Sequence, residues 1–174
     1  RTTTCENFSH ELFHHWFGNY ITCEDWSNIT LNEGWATYGE YLWQEYKYGR
    51  DAADQHGYES MEGYLSSAEK TPKHLIRYYY KDPDEVFDAH SYNKGGAIMH
   101  MLRKYVGEDA FFTSVKLYLE QYKFSSVEAD DLRLIFEQVT GEDLNWFFDQ
   151  WFYAQGHPKL LIRHNYNDSL KQYF

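Results

Sequence analysis

Apolar-rich runs, interrupted by glycines, prolines and capping residues, divide this chain into short helices separated by turns. The first run, from about Cys5 to Phe17, stops at Gly18-Asn19, and a loop of about a dozen residues follows. A second helix is expected from about Leu31 to Tyr48, closed by Gly49, and Asp51 is expected to cap a third from Ala52 to about Ala68. Pro72 and Pro83 break the stretch from Lys70 to Ser91 into irregular chain. A fourth helix from about Tyr92 to Tyr105 ends at Gly107, and a fifth covers Asp109 to Tyr122. Ser125 and Glu128 have capping-box spacing ahead of a sixth helix that ends at Gly141. A seventh runs from about Leu144 to Ala154, before Gly156 and Pro158. The pattern then changes. Leu160, Leu161 and Ile162 lead to Tyr166, Asn167-Asp168 signals a turn, and Leu170 to Phe174 is expected to return as a strand. A lone hairpin is unstable in water, so this end reads as the edge of a β domain.

Composition narrows the function classes. The 174 residues are 43% apolar and 20% aromatic, enough for a real core and contrary to disorder. The net charge of −11 opposes a duplex nucleic-acid or anionic-membrane partner, both of which need a basic footprint. Arg103-Lys104 is too sparse for such a patch and is expected on a solvated helix face. No apolar run approaches the ~20 residues of a membrane span. Two cysteines, Cys5 and Cys23, make no disulfide framework and fix no compartment. Localisation is left open, with a periplasmic or extracellular setting favoured over a cytoplasmic one. The cluster Trp146, Phe147, Phe148, Trp151 and Phe152 is expected to be mostly core, with some rings facing a neighbouring domain.

The chemistry gathers early. Residues 10–14 read His10-Glu11-Leu12-Phe13-His14. On a helix the two histidines share a face, about 6 Å apart along the axis, and can grip one Zn²⁺. Chance expects such a motif only roughly 0.04 times in a chain of this composition. Glu11 sits about 100° around the helix from His10, so it flanks the ion and its carboxylate can reach a metal-bound water. A catalytic zinc takes a third protein ligand and keeps one position open. Glu33, separated from His14 by eighteen residues, is the candidate, on a second helix facing the first. Thr37 and Glu40 share its face, and either can hold the outer nitrogen of a ligand histidine. His15 points elsewhere and is expected to be structural.

At this point the residues resemble a family. His10-Glu11-x-x-His14 followed by Glu33 is the gluzincin pattern. His14-His15-Trp16-Phe17-Gly18-Asn19 resembles the H-Q-W-F-G-N of aminopeptidase N-type zinc metallopeptidases. Trp26 with Leu31-Asn32-Glu33-Gly34-Trp35-Ala36 is similar to that family's W-x-x-x-x-L-N-E-G-F-A. Phe87-Asp88-Ala89-His90-Ser91-Tyr92-Asn93-Lys94-Gly95 is similar to its F-D-x-x-S-Y-x-K-G, and Trp151 with Gly156-His157-Pro158 to its W-x-x-x-x-G-x-P. His15 replaces the usual Gln and Trp35 the usual Phe.

The resemblance implies a mainly α fold, the helical lobe of a thermolysin-like catalytic domain over residues 1–157, with residues 158–174 opening a following β domain. It implies one zinc ion, peptide substrates with a free N-terminus, Glu11 as general base and Tyr92 as the phenol that stabilises the oxyanion. Asp88 is expected to position Tyr92, to face the substrate amine, or to cap a helix. The family's Gly-x-Met-Glu-Asn segment, its N-terminal β domain and its β lobe would lie upstream, so the chain is expected to be part of a larger enzyme. A thermolysin-type endopeptidase, an epoxide-hydrolysing relative and a catalytically silent zinc-binding module stay open beside the aminopeptidase.

Overall fold

The computed structural model describes the backbone of residues 2–173 and the side chains of residues 7–172. The Cys5 side chain therefore lies outside the described residues. Seven α-helices account for most of them: α1 Thr2–Phe13, α2 Thr30–Tyr48, α3 Arg50–Lys70, α4 Gly95–Val106, α5 Glu108–Gln121, α6 Ala129–Thr140 and α7 Asn145–Phe148. Strand is scarce. β1 (Thr22–Cys23) pairs in parallel with β2 (Ser126–Val127), and β3 (Tyr166–Asn167) pairs antiparallel with β4 (Gln172–Tyr173). The fold is the expected helical one, and no helix among the described residues is long and apolar enough to cross a membrane.

Helix α2 is the hub, packing on α1, α3 and α4. Its apolar side, Leu31, Trp35 and Tyr38, sinks into one core with Ile98, Met99 and Leu102 of α4. Burying side chains of this size is worth roughly 1.5–3 kcal/mol each, which is what holds so central a helix. Two glycines let its neighbours come close. A Cβ on Gly34 would lie 3.1 Å from backbone atoms of Gly95, and one on Gly39 would overlap the Phe13 ring. The two helices that flank α2 at these points therefore touch its backbone directly.

Several boundaries differ from the sequence expectation. Helix α1 ends at Phe13, where the bonding tightens by one residue and the amides of His15 and Trp16 turn back to the Leu12 and Phe13 carbonyls. Asp51 lies within the first turn of α3, and the cap position is Gly49. Glu128, not Ser125, caps α6, in a capping box completed by Asp131. The parallel pairing of β1 and β2 keeps the chain extended through Val127, while the Ser125 hydroxyl donates to the Tyr122 carbonyl. A single π turn, His90–Lys94, leads into α4, and another, Asp149–Tyr153, continues α7.

Arg103 corrects the expectation of a solvated face. It is buried, with its guanidinium donating to Glu45 at 2.7 Å, to the Tyr38 hydroxyl at 3.1 Å and to Glu108. Of the late aromatic cluster, Phe147, Phe148 and Phe152 are core, whereas Trp146 is 42% exposed. Leu160, Leu161 and Ile162 form no strand and are each about four-fifths exposed, so only the short β3–β4 hairpin answers the expected β end.

Candidate metal centre

Three elements deliver three donor groups to one point. His10 lies near the end of α1, His14 in the turn just beyond it, and Glu33 in the first turn of α2. Glu33 Oε2 is 3.2 Å from His10 Nε2 and 3.3 Å from His14 Nε2. All three donor atoms lie within 4.8 Å of one another. Tetrahedral geometry with bonds of ~2.0–2.1 Å keeps donors about 3.3 Å apart, so the spacing suits a zinc-sized ion, and two imidazoles with one carboxylate suit its chemistry.

The outer ring nitrogens are fixed as well. His10 Nδ1 donates to Glu40 Oε1 at 2.8 Å, and His14 Nδ1 donates to the Phe17 carbonyl at 3.0 Å. Each bond holds the proton on Nδ1 and leaves Nε2 as the inward donor atom. Of the two candidates for this duty Glu40 performs it. Thr37 does not: its methyl packs on Gly96, and its buried hydroxyl has no hydrogen-bond partner among the described residues.

The cluster is strongly polarised. Burial alone would lower the His10 imidazole, but Glu33 and Glu40 outweigh it and raise it to about 9. Glu33 raises His14 as well, against burial. Burial pushes the Glu33 carboxyl up, and the two histidines more than reverse this, bringing it to about 2.

Around this cluster stand the other expected residues. Glu11 is exposed on α1 beside His10, and His15 is exposed outside the cluster. Tyr92 is half-buried, and its ring stacks on that of His10 at 5.9 Å between centroids. Burial, then the nearby Glu33 carboxylate, hold its phenol above the ordinary range, so the hydroxyl stays a proton donor. Tyr92 rides on the π turn His90–Lys94, and such one-residue bulges recur at functional sites.

Asp88 builds that turn. Its Oδ1 accepts from the His90 amide at 2.9 Å, and its backbone carbonyl accepts from the Tyr92 amide at 3.1 Å. Arg77 grips the carboxylate through both nitrogens, at 2.7 and 3.0 Å, and Lys73 adds a third contact at 2.8 Å. Arg77 also donates to the Val86 carbonyl and the Ser91 hydroxyl. Of the three duties expected for Asp88, its contacts with the His90 and Tyr92 amides fit positioning, whereas the cap position of the turn itself is Ala89. Sequence reasoning missed Arg77, Lys73 and His56, which lies 3.2 Å from Glu40. They come from α3 and the irregular chain after it, where no periodicity ties them to the site.

Comparison with known proteins gives the family of this chain. The family model described as the peptidase family M1 domain matches residues 1–151. The chain belongs to this family. It is 32% identical over 158 residues to Aminopeptidase M1-C of Oryza sativa subsp. japonica, covering 89% of the chain and 18% of that protein. It is likewise 32% identical over 170 residues to Probable aminopeptidase 1 of Saccharolobus solfataricus, covering 95% of the chain and 22% of that protein. Among solved structures, a mutant M1 zinc metallopeptidase from Deinococcus radiodurans bound to a Tyr-Ser-Ala substrate superposes with a TM-score of 0.73 at 26% identity. That match covers 89% of this M1 chain and 34% of the other. The chain thus spans about a fifth of the length of these curated relatives.

Proposed function

We propose that this M1 chain forms the helical half of a zinc aminopeptidase's catalytic domain, over residues 1–157, with residues 158–174 opening a further β domain. The observation that carries the reading is the convergence of His10, His14 and Glu33, with Tyr92 stacked on His10. Residues His10 and His14, through Nε2, and Glu33, through Oε2, would hold one zinc ion. A zinc ion bound there supplies Lewis acidity, polarising a peptide carbonyl and acidifying water toward pKa ~7.

The chain's own groups do the rest. Glu11, adjacent to His10 and exposed toward solvent, is the general base that takes a proton from the attacking water. The same carboxylic acid returns that proton to the departing amine. Tyr92 donates its hydroxyl hydrogen to the developing oxyanion. Glu40 and the Phe17 carbonyl keep both imidazoles in the tautomer the ion needs. The substrates are peptides with a free N-terminus, whose amine is held by parts of the enzyme beyond these residues.

The test is Glu11→Gln in the full-length protein, assayed on an aminoacyl anilide with metal content measured alongside. Turnover should collapse with zinc still bound, and retained turnover would overturn the assignment. A peptide with an acetylated N-terminus should be spared by the wild-type enzyme, and its cleavage would indicate an endopeptidase.

A further inference from the structure

The carboxylate of Glu40 is shared between two histidines on different helices. Its Oε1 accepts a hydrogen bond from His10 Nδ1 at 2.8 Å, while its Oε2 makes an ion-pair contact of 3.2 Å with His56 Nε2. Glu40 belongs to α2, His10 to α1 and His56 to α3, so three helices meet at one carboxylate. The groups are largely withdrawn from solvent, with side-chain exposures of 12% for His10, 19% for Glu40 and 17% for His56. A Glu side chain has three rotatable bonds, and a single partner would leave it swinging. A second partner on the other oxygen fixes both the position and the plane of the carboxylate.

We propose that His56 is a positioning residue of the metal centre, holding Glu40 so that Glu40 in turn orients His10. This rests on the zinc reading above. His56 itself touches neither substrate nor ion. Its contribution is to pre-set the direction in which the His10 lone pair points, so that the ion meets an arranged donor. The chain His56–Glu40–His10 also ties α3 to the metal centre.

The experiment measures zinc affinity of the full-length protein, stripped of metal, by competition with a chromophoric chelator. His56→Phe keeps a ring but cannot donate, and His56→Gln restores an N–H. The Phe variant should lose about tenfold in affinity, the low end for groups that orient a metal-binding histidine. The Gln variant should recover most of it. In a Glu40→Gln background His56→Phe should add nothing, because the effect runs through that carboxylate.

Thermal unfolding of the metal-free proteins separates packing from orientation. Equal losses of affinity in the Phe and Gln variants, tracking a lowered melting temperature, would overturn the proposal, as would wild-type affinity in both. His14→Ala should abolish binding, which locates the measured ion. A wild-type protein that fails to bind zinc would remove the zinc reading and this inference together.

Discussion

Gly34 of α2 and Gly95 at the start of α4 meet backbone to backbone, since a Cβ on Gly95 would fall 3.0 Å from the Gly34 Cα. The contact lies one residue from Glu33 and three from Tyr92. It therefore sets how near the phenol can come to the metal-site carboxylate. The two glycines are needed for closeness rather than for unusual dihedrals. The first prediction follows. Gly95→Ala should force α2 and α4 apart, costing about 1–3 kcal/mol of stability as overpacking does. It should lower turnover through Tyr92 while the ion stays bound. Thermal unfolding, metal content and turnover of the variant check the three parts.

Tyr92→Phe removes one hydroxyl and leaves the ring on His10. If the phenol stabilises the oxyanion, kcat should fall about 10²–10³-fold with KM little changed. Zinc content and melting temperature should match the wild type. A kcat within a few-fold of normal would remove Tyr92 from the mechanism.

Zinc binding should release protons. Glu33 and Glu40 hold the His10 imidazole up at about 9, so it carries a proton at neutral pH that an ion must displace, and Glu33 shifts His14 in the same direction. Apparent affinity should thus climb as pH rises from 6 toward 9 and flatten above it, because metal and proton compete for the same nitrogens. Titrating zinc into chelator-stripped protein in a weak buffer reads both the affinity and the protons released. A pH-independent affinity across that range would contradict the cluster described here.

Asp88→Asn probes the turn that carries Tyr92. Burial raises the Asp88 carboxyl, but His90, Arg77 and Lys73 override it and hold it well below the usual carboxylate range. A group depressed on folding adds stability above its unfolded pKa, near ~3.9, and loses it as pH falls toward the folded value. The variant should be about 2 kcal/mol less stable at pH 7, and the gap should narrow steadily below about pH 4. Denaturant unfolding at several pH values checks this. A gap that widens in acid would reverse the assigned sign.

What the sequence revealed depended on range. His10 and His14 were legible because one helical turn relates them, and Glu40 because it lies two turns along α2 from Glu33. Tyr92 was legible only through the family resemblance, since seventeen tyrosines compete and a π turn follows no simple period. His56 and Arg77 were not legible. Each reaches its carboxylate by tertiary packing, from a helix or loop that carries no chemical pattern of its own. Arg103 was misread for a related reason. A lone cation on a helix looks solvated until the packing brings Glu45 and Glu108 to it. The α6 cap was misplaced because a two-residue strand pairing with distant Thr22 and Cys23 extended the chain past Ser125.

The spacing of His10, His14 and Glu33 has one more consequence. Donors that stand 3.2 and 3.3 Å apart form a gauge as well as a grip. Calcium takes six to eight oxygen ligands at ~2.3–2.6 Å, and it would have to spread this triangle against the hydrogen bonds that brace its corners. Magnesium accepts shorter bonds but wants oxygen in place of imidazole and gives up its water reluctantly. A donor set of these dimensions and this chemistry therefore suits an ion of zinc's size and ligand preference better than calcium or magnesium.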